Sequence, residues 1–178
     1  MQVRPLPLHP AFITKFNFEL TFNTGFGGLT AAIECHRQGH HVEIYESFPE
    51  LKILGDIISF GSNAGRIFYR WSDGKVAAKM RAVSIDLSNY GFKIHKYDTG
   101  EVVAHQKTPQ MDPTAPVFNG HRGELHEIVF EYARDELGIP IHLGKRVVQY
   151  FEGEGKAGIE LESGEKVLTP TLPPNRLP

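Results

Sequence analysis

The stretch NTGFGGLTAAIECHRQGHHVEIYE, residues 23–46, constrains the fold more than any other part of the chain. Three glycines crowd a turn, a segment with apolar residues at helical spacing follows, and a short apolar strand ends in Glu46. The preceding residues, 16–22, alternate in polarity as a strand does. Strand, glycine turn, helix and strand in this order predict a βαβ unit, whose crossover is right-handed in almost all proteins.

The glycines of this turn have the arrangement that dinucleotide binding requires. The turn must be tight, the backbone must approach a pyrophosphate without a Cβ in the way, and the helix must pack closely on the strand. Gly25 and Gly28 take the second and third glycine places of such a turn, Gly27 is an additional glycine, and Asn23 occupies the first place. Asparagine tolerates a positive φ better than most residues with a side chain.

Glu46 closes the second strand, where a carboxylate that accepts hydrogen bonds from the ribose hydroxyls is expected. The sequence therefore predicts a dinucleotide site. The alternative from these residues alone is a glycine turn that only enters a helix, and the strands on both sides together with Glu46 favour the binding site.

The remaining chain predicts further strands and one long helix. Residues 90–106 read as a β-hairpin that turns at 98–100, residues 123–138 as a helix with a core stripe, residues 139–144 as another parallel strand, and residues 146–163 as a second hairpin. The predicted fold class is α/β, a Rossmann-like βαβ unit with a parallel sheet and inserted β-hairpins.

Composition excludes several classes of function. The formal net charge of -2 gives no indication of nucleic acid binding, and the single cysteine cannot form an internal disulfide. No apolar run approaches the roughly 20 residues that span a bilayer. His36 and His40 are spaced for a metal, but no acid or cysteine completes a site, so we expect none. We expect a cytoplasmic protein that binds a small molecule.

Several motifs in this order resemble the FAD-dependent aromatic monooxygenases of the salicylate-hydroxylase type. Their glycine turn reads G-A-G-I-G-G-L-A-A-A-I, to which GFGGLTAAI is similar. GDIISFGSNAGRIFYRW, YDTGEVV and HRGELHEIVFEYARDELG are similar to their later segments, and the resemblance extends over residues 25–167. It implies an FAD-binding fold, with NAD(P)H as the reductant and O2 as the oxidant that hydroxylates an aromatic or related small molecule.

The resemblance also implies individual roles. The glycines of the turn would face the pyrophosphate and Glu46 the adenosine ribose. Gly55 and Asp56 would lie near the flavin end of FAD, Val147 would place its backbone near the adenine, and Arg122 would contact FAD from the start of its helix. An arginine suits this role because its guanidinium offers several donors in a rigid fork. No catalytic acid or base is assigned.

The resemblance covers less than a complete family member. We expect an irregular leader over residues 1–15, a partial FAD-binding domain over 16–168 with part of a substrate-domain hairpin at about 84–107, and a proline-rich tail over 169–178. The family's later A-D-G and G-D motifs are missing, so we interpret the chain as truncated, with weak or no FAD binding by itself. The alternatives are an NAD-binding Rossmann domain, which fits the glycine turn and Glu46 equally well, and a vestigial fragment without enzymatic activity.

Overall fold

The computed structural model describes residues 20–51, 55–87, 91–106, 112–153 and 156–170. The expected leader and most of the expected tail lie outside these ranges, as do residues 16–19 of the first expected strand. All eight residues expected to bind cofactor lie inside them. Within these ranges, no helix is long and apolar enough to cross a membrane.

A three-stranded parallel sheet forms the base of the fold. Its order is β1 (Leu20–Phe22), β2 (Val42–Tyr45) and β7 (Ile141–His142), with β2 in the centre. The crossover from β1 to β2 is helix α1 (Phe26–Arg37). The predicted βαβ unit is therefore present, and the third parallel strand predicted near residue 141 pairs with β2.

Helix α1 follows its apolar spacing. Leu29, Ala32 and Ile33 are fully buried, as a helical period that faces the sheet requires. The helix ends just before Gly39, which has a φ of +87°, a left-handed conformation that glycine adopts without a Cβ clash.

Among the described residues, three further helices pack with α1 around the main hydrophobic core. They are α2 (Ser62–Tyr69), α3 (Lys75–Ala82) and α4 (Arg122–Glu131), and α4 continues as a wider π turn over Tyr132–Glu136. The predicted apolar stripe lies in this core or packs against it, and Gly138 ends the helical segment with a φ of +66°. Trp71 is also completely buried and lies in the 3-10 turn between α2 and α3.

The remaining strands form small antiparallel sheets. Strand β3 (Ile57–Phe60) pairs with β6 (Phe118–His121), and this pairing leads the chain directly into α4. The predicted hairpins are β4 (Phe92–His95) with β5 (Val102–Gln106), and β8 (Val147–Gly153) with β9 (Lys156–Leu161). Strand β10 (Lys166–Pro170) adds to β9 as an edge strand and includes the first two residues of the expected tail. Pro170 is tolerated because an edge strand leaves one side of its backbone unpaired.

Candidate cofactor site

The glycine turn joins the carboxyl end of β1 to the start of α1, at the edge of the sheet where ligands bind in open α/β folds. Gly25 is the N-cap residue of α1 and has an extended backbone. The N–H groups of the first helical turn have no acceptor inside the helix, so they are available to an anion.

The three glycines of the turn differ in what a side chain would meet. A Cβ on Gly28 would lie 2.0 Å from the carbonyl oxygen of Asn23, which means that only glycine allows the helix to start this close to the strand. A Cβ on Gly25 would lie 3.0 Å from Oδ1 of Asn23. A Cβ on Gly27 would meet nothing within 4 Å, so this glycine leaves open space at the helix start.

Asn23 acts through its side chain rather than its backbone. Its φ is not positive, since Ser72 and Asp73 are the residues other than glycine with a positive φ in the described ranges. Its Oδ1 instead accepts a hydrogen bond of 2.9 Å from the N–H of Gly25. The asparagine therefore closes the turn as an Asx turn, and tolerance of a positive φ does not explain its presence.

The carboxylate of Glu46 faces the turn across the sheet edge. Its Oε2 accepts hydrogen bonds from the backbone N–H of Thr24 at 3.2 Å and from the Thr24 hydroxyl at 2.5 Å. Its Oε1 accepts from the Ser47 hydroxyl at 2.9 Å and from the N–H of Phe48 at 3.1 Å. Partial burial raises the pKa of Glu46, but these hydrogen bonds outweigh it and bring the pKa below its ordinary value. Glu46 is therefore ionised at neutral pH.

A cavity of about 230 Å³ lies between the turn, Glu46 and the start of α4. Its lining residues come from the turn, from the segment after β2 and from α4: Thr24, Gly25, Glu46, Phe48, Glu50, Leu51, Arg122 and His126. This volume is below the roughly 300–1,000 Å³ of complete small-molecule pockets, so the cavity fits one section of a dinucleotide rather than all of it.

Arg122 and Gly55 are in contact although they are far apart in sequence. Gly55 has a φ of +120°, and a Cβ there would lie 2.8 Å from Cδ of Arg122. The N–H of Arg122 donates to the carbonyl oxygen of Asp56 at 2.8 Å. The guanidinium lies over the ring of Phe26, with 5.9 Å between its central carbon and the ring centroid. The fold thus brings three of the expected cofactor residues together.

Of the eight residues expected to bind cofactor, Gly25, Glu46 and Arg122 line the cavity, whereas Gly27, Gly28, Gly55, Asp56 and Val147 do not. The Asp56 side chain is exposed and its Oδ1 accepts from the N–H of Ile57 at 3.0 Å, which ties it to the start of β3. Val147 is half-buried and packs with a small cluster that contains Tyr45 and Ile159. The cofactor roles expected for the eight residues stay predictions.

The sequence predicts a helix-start contact or solvent exposure for His126 rather than catalysis, and in the structure His126 connects α4 to the glycine turn. Its Nε2–H donates to the carbonyl oxygen of Thr24, and its ring packs edge-on against Phe26 with 5.1 Å between centroids. Burial lowers the pKa of His126, and the nearby Arg122 guanidinium adds to this effect. The sequence spacing could have indicated that His126 lies near the site, because it follows Arg122 by four residues and such residues share one face of a helix.

The residues present fit the diphosphate and ribose section of a dinucleotide. The turn offers helix N–H groups for an anion, Gly27 leaves room for its approach, and an ionised carboxylate stands across the cavity. The structure is thus that of a βαβ dinucleotide-binding fold.

Comparison with known proteins identifies the family. The chain is 37% identical over 147 residues to asperlicin C monooxygenase of Petromyces alliaceus, covering 80% of this chain and 30% of that protein. It is 35% identical over 150 residues to the FAD-dependent monooxygenase okaB of Penicillium ochrochloron, covering 78% of this chain and 30% of that protein. No family model matches the chain.

Solved structures agree with these relatives. The crystal structure of CtdE in complex with FAD and substrate 4 superposes with a TM-score of 0.74 at 32% identity, covering 84% of this chain and 35% of that one. At 22% identity, 2-methyl-3-hydroxypyridine-5-carboxylic acid oxygenase shares the fold, with a TM-score of 0.66. The chain belongs to the FAD-dependent monooxygenase family, as the resemblance of its motifs indicated. It spans about 30% of the length of the curated relatives it matches.

Proposed function

We propose that this chain is the part of an FAD-dependent monooxygenase that binds the adenosine diphosphate section of FAD. The observation that carries the proposal is the geometry around the cavity: a glycine turn at a helix start, an ionised carboxylate opposite it, and an arginine at the rim. In the complete protein, NAD(P)H would reduce FAD, and the reduced cofactor would use O2 to hydroxylate an aromatic or related small molecule.

The residues of the chain would contribute binding and orientation. The N–H groups at the start of α1 would donate to the diphosphate, and Glu46 would accept from the ribose hydroxyls. Arg122 would place its guanidinium near the cofactor from the start of α4, held by the contact of its side chain with Gly55 and by its backbone bond to Asp56. His126 would keep α4 fixed to the turn.

Titration of the purified chain with FAD, ADP and NAD tests this proposal. Flavin fluorescence quenching measures FAD binding, and calorimetry measures the other two. We expect weak binding of FAD and ADP, with dissociation constants on the order of 10–100 µM or above, and weaker binding of NAD. A preference for NAD would support a Rossmann domain of another class, and no response from a folded chain to any of the three would support a fragment without cofactor function.

Two substitutions sharpen the test. Glu46→Gln removes the carboxylate charge that the ribose would meet, and we expect it to weaken ADP binding about tenfold or more, the loss of one or two hydrogen bonds to a charged group. Glu50→Gln is the matched control, because Glu50 lines the same cavity and carries the same charge. Equal effects of the two substitutions would mean that Glu46 acts only through the overall charge of the cavity, which contradicts the proposed role.

A further inference from the structure

The carboxylate of Glu46 has no acceptor position left for a ligand. Four donors already point at it: the N–H and the hydroxyl of Thr24, the hydroxyl of Ser47 and the N–H of Phe48. An ionised carboxylate offers about four lone-pair sites. A ribose hydroxyl can therefore donate to Glu46 only if one of these donors leaves.

The Thr24 hydroxyl is the donor placed to leave. The two backbone N–H groups are fixed by the chain, whereas a hydroxyl hydrogen turns away by rotation about its C–O bond. Ser47 is exposed and does not line the cavity, while Thr24 lines it and is only 6% exposed. The hydroxyl of Thr24, 2.5 Å from Oε2 of Glu46, is thus the hydroxyl donor that belongs to a residue lining the cavity.

Asn23 forms an equivalent contact on the phosphate side of the site. Its Oδ1 accepts the N–H of Gly25, the cap residue that lines the cavity at the start of α1. This N–H is one of the donors that a phosphate oxygen at the helix start would require. The side-chain oxygen of Asn23 therefore takes the place of an anion oxygen.

We propose that the side chains of Asn23 and Thr24 act as internal substitutes for the phosphate and the ribose of the cofactor. They satisfy the turn and Glu46 when no cofactor is bound, and both of their hydrogen bonds must break for the cofactor to enter. The two residues therefore lower the affinity of the site for the adenosine diphosphate group. This inference rests on the proposed function.

Two single substitutions test the inference. Asn23→Ala removes the competing oxygen, and alanine fits because the φ of residue 23 is not positive. Thr24→Val removes the hydroxyl and keeps the branched shape. Each should tighten the binding of ADP and of FAD by on the order of threefold to tenfold, which corresponds to the net free energy of one hydrogen bond. Thr24→Ser is the matched control, since it keeps the hydroxyl and should bind ADP as the unsubstituted chain does.

The direction of the change separates this role from a structural one. A residue that only stabilises the turn would lower both the melting temperature and the affinity when it is removed, whereas the inference requires tighter binding even where the melting temperature falls. The two substitutions act on different hydrogen bonds, so each remains informative if the other variant does not fold. If the unsubstituted chain binds measurably and the folded variants bind equally or more weakly, the inference is overturned while the proposed function stands. Failure of every folded chain to bind ADP or FAD overturns the proposed function and the inference with it.

Discussion

Gly27 and Gly28 are neighbours in the first turn of α1, and the structure predicts opposite consequences for the same substitution at each. Replacing a helical glycine by alanine stabilises a protein by roughly 0.5–1 kcal/mol, because the unfolded chain has less backbone freedom to lose. Gly27 should show this gain, since its Cβ would meet nothing within 4 Å and its φ is not positive.

Gly28→Ala should destabilise the protein by more than the helix preference of alanine stabilises it. The new Cβ would stand 2.0 Å from the carbonyl oxygen of Asn23 and 2.9 Å from its carbonyl carbon, and backbone atoms cannot rotate away. Forcing an extra methyl group into a packed region costs about 1–3 kcal/mol, so the net change is a destabilisation of about 0.5–2 kcal/mol. A shift of 1 kcal/mol moves the melting temperature of a chain of this size by about 2–4 °C.

Thermal and urea denaturation of the two variants, followed by circular dichroism, checks this prediction. We expect the melting temperature to rise by about 1–4 °C for Gly27→Ala and to fall by about 1–8 °C for Gly28→Ala. If the open space at Gly27 receives the cofactor, Gly27→Ala should also weaken ADP binding although the fold is more stable. A rise in the melting temperature of Gly28→Ala would refute the close approach of α1 to the end of β1, and a fall for Gly27→Ala would refute the open space at Gly27.

Two further substitutions probe the packing of the helices. His126→Gln should flatten the pH dependence of stability below about pH 6.5. Burial depresses the pKa of His126 in the folded state, so its stability contribution is complete above the unfolded value near 6.5 and is lost as the pH falls. Urea denaturation at several pH values measures this, and parallel curves for the two chains would count against it. Gly65→Ala should destabilise the fold by about 1–3 kcal/mol or more, because its Cβ would lie 1.7 Å from the carbonyl oxygen of Pro116. Denaturation of Gly65→Ala, measured in parallel with Gly27→Ala, gives the loss of stability. A gain in stability would contradict the contact between α2 and the chain before β6.

Local sequence patterns were sufficient for most of the secondary structure. The period of the apolar residues predicted α1 and α4, and the two helical segments end just before the glycines at 39 and 138. Alternating polarity around a turn predicted both hairpins. These features depend on backbone geometry over a few residues, which a sequence expresses directly.

The position of the candidate site was also evident from the sequence. A glycine turn between a strand and a helix, followed by an acid at the end of the next strand, places Glu46 beside the turn in any right-handed parallel βαβ unit. The topology, rather than the side chains, sets this distance.

The contacts inside the site were decided by the tertiary structure. No local sequence pattern predicts that Gly55 contacts Arg122, or that His126 contacts Thr24 across 102 positions of the sequence. These contacts depend on how β3, β6 and α4 pack against the turn. The sequence likewise placed Asn23 and Thr24 in the turn. It did not show that the Asn23 side chain accepts from the N–H of Gly25, or that the Thr24 hydroxyl donates to the carboxylate of Glu46. Hydrogen bonds of this kind depend on side-chain rotamers and on burial, and both are set only when distant segments have packed together.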